Sequence, residues 1–121
     1  MKRDHHEFLP LSPASFHILL ALAANDLHGY GIMQEVARQS DGQYKLGPGT
    51  LYDNLKRLML QGLIEQSSPR AAVDADPRRR YYRLKATGRE VLALEVARLD
   101  GVLREARTHL RAVKPLRPRR A

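Results

Sequence analysis

The order of hydrophobic and polar positions predicts four helices along the chain. The first begins where Ser12 can cap the free N–H groups and Pro13 has the backbone angle of a first helical residue, and it extends to about Asn25. Its apolar side chains form two faces, one with Phe16, Leu19, Leu20 and Ala23 and the other with Ile18 and Leu22. Two apolar faces on one helix predict two contacts, one with the domain's own core and one with a further surface.

The second and third helices each follow a glycine-containing turn. The second comes after His28 and Gly29, and His28 is expected to order that turn by a hydrogen bond. The third begins at Pro48, with Gly47 as a weaker N-cap, and Gly62 is placed to end it in a left-handed conformation. Its buried stripe recurs at i, i+4 and i+7, which are Leu51, Leu55 and Leu58.

Two short segments, residues 63–67 and 80–84, alternate in polarity and predict the strands of a β-hairpin. The segment between them contains Pro69 and Pro77, is too long for a tight turn, and is expected to be an exposed, mobile loop. Alternation places Arg79, Tyr81 and Arg83 on one face of the second strand and Arg80, Tyr82 and Leu84 on the other. We expect the tyrosine pair to pack in the core and at the sheet edge, with stacking on bases as the alternative.

The last predicted helix carries the longest hydrophobic repeat in the chain. Thr87 and Glu90 have the spacing of a capping box at its start. Beyond them, apolar residues alternate spacings of four and three, as in the seam of a heptad repeat: Leu92, Val96, Leu99, Leu103, Ala106, Leu110 and Val113. One small protomer does not readily cover this seam, so Leu92 to Leu110 are predicted to form a dimer interface. The alternative is a long helix folded back on its own core.

The order of these elements predicts a mainly α fold with a small β-hairpin, a winged helix-turn-helix followed by a dimerisation helix. The predicted organisation has four parts. These are an N-terminal arm at residues 1–11, a winged-helix DNA-binding domain at 12–85, a C-terminal dimerisation helix at 86–113 and a basic disordered tail at 114–121.

Composition and charge narrow the range of functions. A chain of 121 residues has the size of one domain, and its longest apolar run, residues 18–24, is far shorter than the ~20 residues of a membrane span. The short apolar run predicts a soluble protein. The absence of cysteine means that there is no disulfide framework and fits a reducing cytoplasm. Residues 1–77 carry seven Lys or Arg against nine Asp or Glu, whereas residues 78–121 carry fourteen against four. This asymmetry predicts a polyanionic partner, most simply nucleic acid, with a solvated basic surface as the alternative.

The candidate DNA-binding residues follow from the helical wheel of the third helix and from the basic wing, which is the predicted β-hairpin with its loop. With the leucine stripe turned inward, the third helix presents Gly49, Thr50, Tyr52, Asp53, Lys56 and Arg57. The wing adds Arg78, Arg79 and Arg80 as candidates for phosphate or minor-groove contacts. Asp53 is useful there only if it accepts from cytosine N4 or orients a neighbouring cation, and the alternative places it on the solvated rim.

Other classes of function have weaker support. The five histidines occur without a recognisable nucleophile–base motif or closed metal site, so neither catalysis nor a cofactor is expected. A winged-helix module that binds protein instead of DNA remains the alternative. Salt dependence distinguishes the two, because affinity for duplex DNA falls steeply with salt.

The chain resembles the PadR family of bacterial transcriptional regulators over roughly residues 14–100, and four ordered segments carry the resemblance. The segments are HGYGI (28–32), GPGTLYDNLKRL (47–58), GLI (62–64) and RRRYYRLKATG (78–88). Asp53 stands where the family often has proline, and Leu84-Lys85 stand where it often has Leu-Thr, so the base contacts at Asp53 are not carried over.

The resemblance implies a cytoplasmic homodimer that represses transcription from a palindromic operator, with no membrane partner. It implies that the last helix pairs with the partner protomer, including the partner's first helix, as in the compact subgroup of the family. Some members release DNA when a phenolic acid or hydrophobic drug binds between protomers, which makes a small hydrophobic or aromatic effector possible here. Phe16, Leu20 and Leu99 could line such a cavity, or simply pack in the core or dimer. The chain has no tryptophan to clamp an aromatic drug, so no ligand is named.

Overall fold

A computed structural model of the protein describes residues 5–68 and 78–112. After a short 3-10 turn at His5–Phe8 come four helices: α1 Pro13–Ala24, α2 Gly29–Gln39, α3 Pro48–Leu60 and α4 Ala86–Ala112. The strands are β1 Leu27–His28, β2 Ile64–Ser67 and β3 Tyr81–Leu84. The predicted mainly α fold with a small antiparallel sheet is confirmed. None of the described helices is both long enough and apolar enough to cross a membrane.

The sheet contains three strands in the order β1-β3-β2, one more than the predicted hairpin. The hairpin itself is confirmed, with Ile64 opposite Leu84. The additional strand, β1, pairs antiparallel with β3 and brings His28 opposite Tyr81. A strand of two residues is too short to show alternation, so the sequence pattern did not predict it.

The hydrophobic core lies where α1 packs against α2, α3, α4 and β3. Ile18, Leu19 and Leu22 are buried on the inner side of α1, whereas Phe16, Leu20 and Ala23 are only partly buried. The predicted leucine stripe of α3 is also buried in this core. The remaining large contributors are Ile32 and Val36 of α2, Leu63, Ile64, Tyr82 and Leu84 of the sheet region, and Val91 and Leu92 of α4.

The helix ends match the local prediction at α1 and α3 but not at α4. Ser12 caps α1 by accepting a hydrogen bond from the Ser15 N–H at 3.1 Å, and Gly62 takes a φ of 76° after α3. The predicted capping box of α4 is wrong, because the helix already begins at Ala86. Thr87 therefore lies inside the helix, and its hydroxyl donates to the carbonyl of Gly62. This bond ties the start of α4 to the turn before the sheet.

Glycine at position 88 is required by the close packing of α4 on that turn. A Cβ on Gly88 would collide with the carbonyl oxygen of Leu63. That oxygen is a backbone atom, so it cannot move aside as the end of a flexible side chain can. The first turns of α4 are thereby held against the sheet, and Val91, Leu92 and Glu95 become buried.

From Val96 onward, α4 leaves the protomer core. Val96, Leu103 and Leu110 are 49%, 47% and 67% exposed, so this part of the helix does not fold back on its own domain. Leu92 departs from the predicted dimer seam, because it is only 7% exposed and packs inside the protomer. Leu99 and Val102 are exposed as well. The last predicted seam residue, Val113, lies outside the described residues.

The described part of the predicted N-terminal arm, residues 5–11, packs against α4. His5 Nε2 lies 2.8 Å from a carboxylate oxygen of Glu90, and the Leu11 N–H donates to Glu95 at 2.7 Å. Phe8, Leu9 and Leu11 are partly buried against the core. Residues 69–77 of the predicted loop and the predicted tail at 114–121 lie outside the described residues.

Candidate nucleic-acid interface

Helix α3 presents the face that the helical wheel predicts. Leu51, Leu55 and Leu58 are buried and hold the opposite side of the helix against the core. The residues predicted to face DNA are all exposed, namely Gly49, Thr50, Tyr52, Asp53, Lys56 and Arg57. Gly47 and Pro48 start the helix without a side-chain cap, which leaves the first N–H groups of α3 pointing outward.

Asn54 fixes the rotation of α3, a role that the sequence pattern did not reveal. Its side chain is 5% exposed, accepts a hydrogen bond from the Ser15 hydroxyl at 3.3 Å, and donates to the Thr50 carbonyl at 2.8 Å. A buried amide is stable only when its donors and acceptors are paired. The bond from Ser15 joins α3 to α1, while the bond to Thr50 lies within α3 and holds the amide in position. The signal was present in the sequence, because position 54 falls between Leu51 and Leu58 on the buried stripe.

Arg57 has a different environment from the rest of the exposed face. Its guanidinium donates to the Oδ1 atom of Asn54. Together with Gln61 it lines a cleft of about 210 Å³ against Phe8 and Leu11 of the N-terminal arm. Arg57 therefore lies at the border between the exposed face of α3 and the N-terminal arm, whereas Lys56 lies on the exposed face itself.

Helix α3 and the wing meet at one cleft of about 370 Å³. We call it the wing cleft; its lining residues are His28, Gly29, Tyr30, Tyr52, Arg78, Arg79, Arg80 and Tyr82. Tyr52 reaches across from α3 to the start of α2, where it lies so close to Gly29 that any Cβ at position 29 would collide with the phenol ring. The three wing arginines predicted from sequence thus share a surface with α3.

His28 caps the first turn of α2 at the edge of the wing cleft. Its Nδ1 atom accepts a hydrogen bond from the Gly31 N–H at 2.8 Å, which confirms the predicted turn-ordering role. The other ring nitrogen, Nε2, lies against the guanidinium of Arg79. The ring also packs 5.3 Å from that of Tyr81 across the β1–β3 pair.

The tyrosine pair of β3 packs inside the protein, as predicted. Tyr81 and Tyr82 are each 4% exposed, so neither presents a ring for stacking on bases. Burial raises the pKa of the Tyr82 phenol, and the nearby Tyr52 raises it further, while Arg80 acts in the opposite direction. The Tyr82 hydroxyl therefore stays neutral beside the basic residues of the cleft.

The exposed cations of the wing differ in their surroundings. Arg83 pairs with Glu65 on the neighbouring strand at 3.1 Å, which satisfies part of its charge within the sheet. Arg78, Arg79 and Arg80 are exposed and line the wing cleft. Three exposed arginines of the wing therefore lie together at the cleft where the wing meets α3.

Comparisons with known proteins agree with this geometry. Residues 18–94 match the family model of the "Transcriptional regulator PadR-like family". The chain is 38% identical over 89 residues to "Transcriptional regulator Rv3488" of Mycobacterium tuberculosis, covering 74% of this chain and 78% of that protein.

Solved structures share the fold. A PadR family transcription regulator from Clostridium difficile superposes with a TM-score of 0.66 at 22% identity, covering 82% of this chain and 99% of that one. A transcriptional regulator from Clostridium thermocellum gives a TM-score of 0.64 at 22% identity, with 78% and 87% of the two chains covered.

Proposed function

The chain belongs to the PadR-like family of transcriptional regulators, and we propose that it represses transcription as a homodimer bound to a palindromic operator. Members of this family bind DNA and are typically not enzymes. One observation carries the proposal: Tyr52, on the exposed face of α3, and the wing arginines line the same cleft, so a single duplex can contact α3 and the wing together. The DNA-contacting residues that we propose are Gly49, Thr50, Tyr52, Asp53, Lys56, Arg57, Arg78, Arg79 and Arg80.

General properties of protein–DNA contacts support different roles for α3 and for the wing within that surface. The amino-terminal half of a recognition helix meets base edges in the major groove. Thr50 is exposed in that half of α3, and Lys56 is exposed in the second half. Wing arginines neutralise phosphates or enter the minor groove, where the negative potential is greatest. Arg57 is held by Asn54 at the border of the surface, so its contact would be with the backbone and not with a base.

The exposed part of α4 supports a homodimer. Its side chains Val96, Leu99, Leu103, Ala106 and Leu110 form an apolar strip that the protomer leaves uncovered. Burial of such a strip against a second copy is favourable by about 25 cal/mol for each Å² of apolar surface. The partly buried side of α1, with Leu20 and Ala23 lining a groove of about 350 Å³, is a second surface for the partner's helix.

We further propose cytoplasmic action, typical of the family, and release from DNA by a small hydrophobic or aromatic effector. An effector between protomers would contact the same apolar surfaces that form the dimer, at Phe16, Leu20 and Leu99. Binding there would change the angle between the two recognition helices and so weaken the fit to both half-sites.

Selection of duplexes from a random pool, followed by fluorescence anisotropy at several salt concentrations, tests the function. A DNA-binding regulator enriches a sequence with dyad symmetry and shows log affinity that falls linearly with log[salt]. The alternative, a winged-helix module that binds only protein, predicts no enrichment and no duplex binding at low salt.

A further inference from the structure

Asp53 carries a negative charge at the centre of the exposed face of α3. It is the sixth of the thirteen residues of the helix, so it lies in the amino-terminal half. At ~100° per residue, it lies about 200° around the helix from the buried Leu51, almost directly opposite the core. Tyr52 and Arg57 are exposed on either side of it. Asp53 therefore lies in the middle of the candidate DNA-binding surface and not at its rim.

No cation of the described residues neutralises this carboxylate. The natural partners on a helix stand three and four residues further along, at Lys56 and Arg57. The Arg57 guanidinium donates instead to the Oδ1 atom of the buried Asn54. Within residues 5–68 and 78–112, neither Asp53 nor Lys56 forms an ion pair. The orienting contact to a neighbouring cation, which the sequence left open for Asp53, is not formed, and contact with a base remains.

A duplex bound to this face would surround the carboxylate of Asp53 with phosphates and remove part of its water. A carboxylate is destabilised in such a place unless a hydrogen-bond donor replaces the water. In the major groove, these donors are the exocyclic amines, N4 of cytosine and N6 of adenine. Adenine places its N7 acceptor beside N6, which repels a carboxylate, whereas cytosine offers the donor alone. Cytosine is therefore the base that suits an aspartate.

Gly49 gives the short side chain of Asp53 access to the bases. It stands four residues before Asp53, on the same side of α3, and a Cβ added to it would meet no atom within 4 Å. With no side chain at Gly49, the helix backbone can approach a duplex closely. An aspartate has a single CH₂ group, so it reaches a base edge only when the helix comes this close.

We propose that Asp53 accepts a hydrogen bond from N4 of one cytosine in each half-site and so selects a C·G base pair at that position of the operator. This proposal rests on the proposed DNA binding and deepens it, because it assigns a base preference to one residue. The wing arginines attract any duplex, whereas Asp53 opposes binding to every duplex that lacks the cytosine. Asp53 thereby contributes to specificity and not to general affinity.

Two substitutions at position 53 separate hydrogen bonding from charge. Asp53→Asn keeps the shape and removes the charge, and its amide suits adenine, because it accepts from N6 and donates to N7. Asp53→Ala removes both properties. Asp41→Asn is the matched control, because Asp41 is also exposed but lies in the turn after α2, where asparagine tolerates its φ of 54°. Circular dichroism checks that each variant is folded.

The experiment lets each protein select duplexes from a random pool, and competition binding then measures single base-pair changes in the selected site. For the wild type, we expect one cytosine in each half-site whose replacement weakens binding about 10-fold. Asp53→Asn should select adenine at that position, and Asp53→Ala should select no base there, while the rest of the operator stays the same. Both should bind non-specific duplex more tightly, because a charge that repels phosphates is gone. Asp41→Asn should select the wild-type sequence.

The outcomes distinguish this proposal from the proposed function. If the wild type selects a site with dyad symmetry and both position-53 variants select the same bases, the base contact is refuted and DNA binding stands. A wild-type preference for a base other than cytosine at the position that these variants change would also refute the contact. The same shift in Asp41→Asn would overturn it, because loss of any negative charge would then suffice. If the wild type binds no duplex at low salt, both proposals are refuted.

Discussion

Replacing Glu95 by glutamine should lower the free energy of unfolding by about 1–3 kcal/mol at neutral pH. Glu95 is 1% exposed and accepts hydrogen bonds from Arg98 at 2.5 Å and from the Leu11 N–H at 2.7 Å. Glutamine has one accepting oxygen, so its NH₂ group would face one of these donors. With the amide oxygen at the Oε2 position the Leu11 N–H keeps its acceptor, so the NH₂ group faces the Arg98 Nε–H, and that hydrogen bond and the charge that holds Arg98 are lost.

The pH dependence of this effect has a definite sign. The hydrogen bond from Arg98 lowers the pKa of Glu95, and the Leu11 N–H lowers it further, although burial acts in the opposite direction. A carboxyl group whose pKa is depressed in the folded state stabilises the protein at pH values above its unfolded pKa, which is about 4.3. That contribution is lost as the pH falls through the folded pKa, so the difference between wild type and E95Q should shrink in acid.

Urea unfolding followed by circular dichroism measures the difference, at one fixed protein concentration because dimer stability depends on concentration. Glu105→Gln is the matched control, because Glu105 makes an exposed pair with His109 at 2.9 Å on the same helix. Exposed pairs contribute little, so the control should change stability by less than about 0.5 kcal/mol. A destabilisation of E95Q no larger than that of E105Q, or one equally large at pH 3 and pH 7, would contradict this account of Glu95.

Three further predictions concern the proposed function. Lys56→Ala and Arg79→Ala should each weaken duplex binding and reduce the slope of log affinity against log[salt] by about 0.9 for each phosphate that is no longer neutralised. Arg38→Ala is the control, because it removes an exposed cation that is paired with Glu35, and it should leave the slope unchanged. Leu103→Glu should give a folded monomer in sedimentation at micromolar concentration, because Leu103 is 47% exposed in the protomer, and a persistent dimer would remove it from the interface. Footprinting should find two half-sites about 34–36 Å apart, related by a dyad; protection without that symmetry would contradict the paired recognition helices.

Features governed by neighbouring residues could be predicted from the sequence. Ser12 and Pro13 start α1, and Gly62 ends α3 with a positive φ, because capping depends on residues within one turn. The exposed face of α3 was predictable for the same reason, since the positions of three leucines determine the opposite side of a helix. The candidate DNA-binding surface therefore followed from periodicity and from the arginine cluster at 78–80.

Features that depend on residues distant in the chain were either not predicted from the sequence or predicted wrongly. The T-x-x-E spacing at Thr87 predicted a cap, but the carbonyl of Gly62 takes the Thr87 hydroxyl instead. Glu95 looks like an ordinary polar residue in the sequence, and its burial is evident only when Leu11 is brought to it. Asn54 lies on the buried stripe of α3, but its partner Ser15 is known only from the tertiary structure. The strand β1 exists only because β3 lies beside it.

The helices, their apolar faces, the hairpin and the basic character of the wing all depend on residues close together in the chain, and the sequence alone was enough to predict them. Packing against residues distant in the chain determines whether each apolar residue lies in the protomer core or on an exposed surface. Leu92 and Leu99 are seven residues apart and occupy equivalent heptad positions, yet Leu92 is buried in the protomer and Leu99 is exposed. The difference arises because close contact at Gly88 holds the first turns of α4 against the sheet, whereas beyond Glu95 the described part of the domain has no further surface to cover the helix.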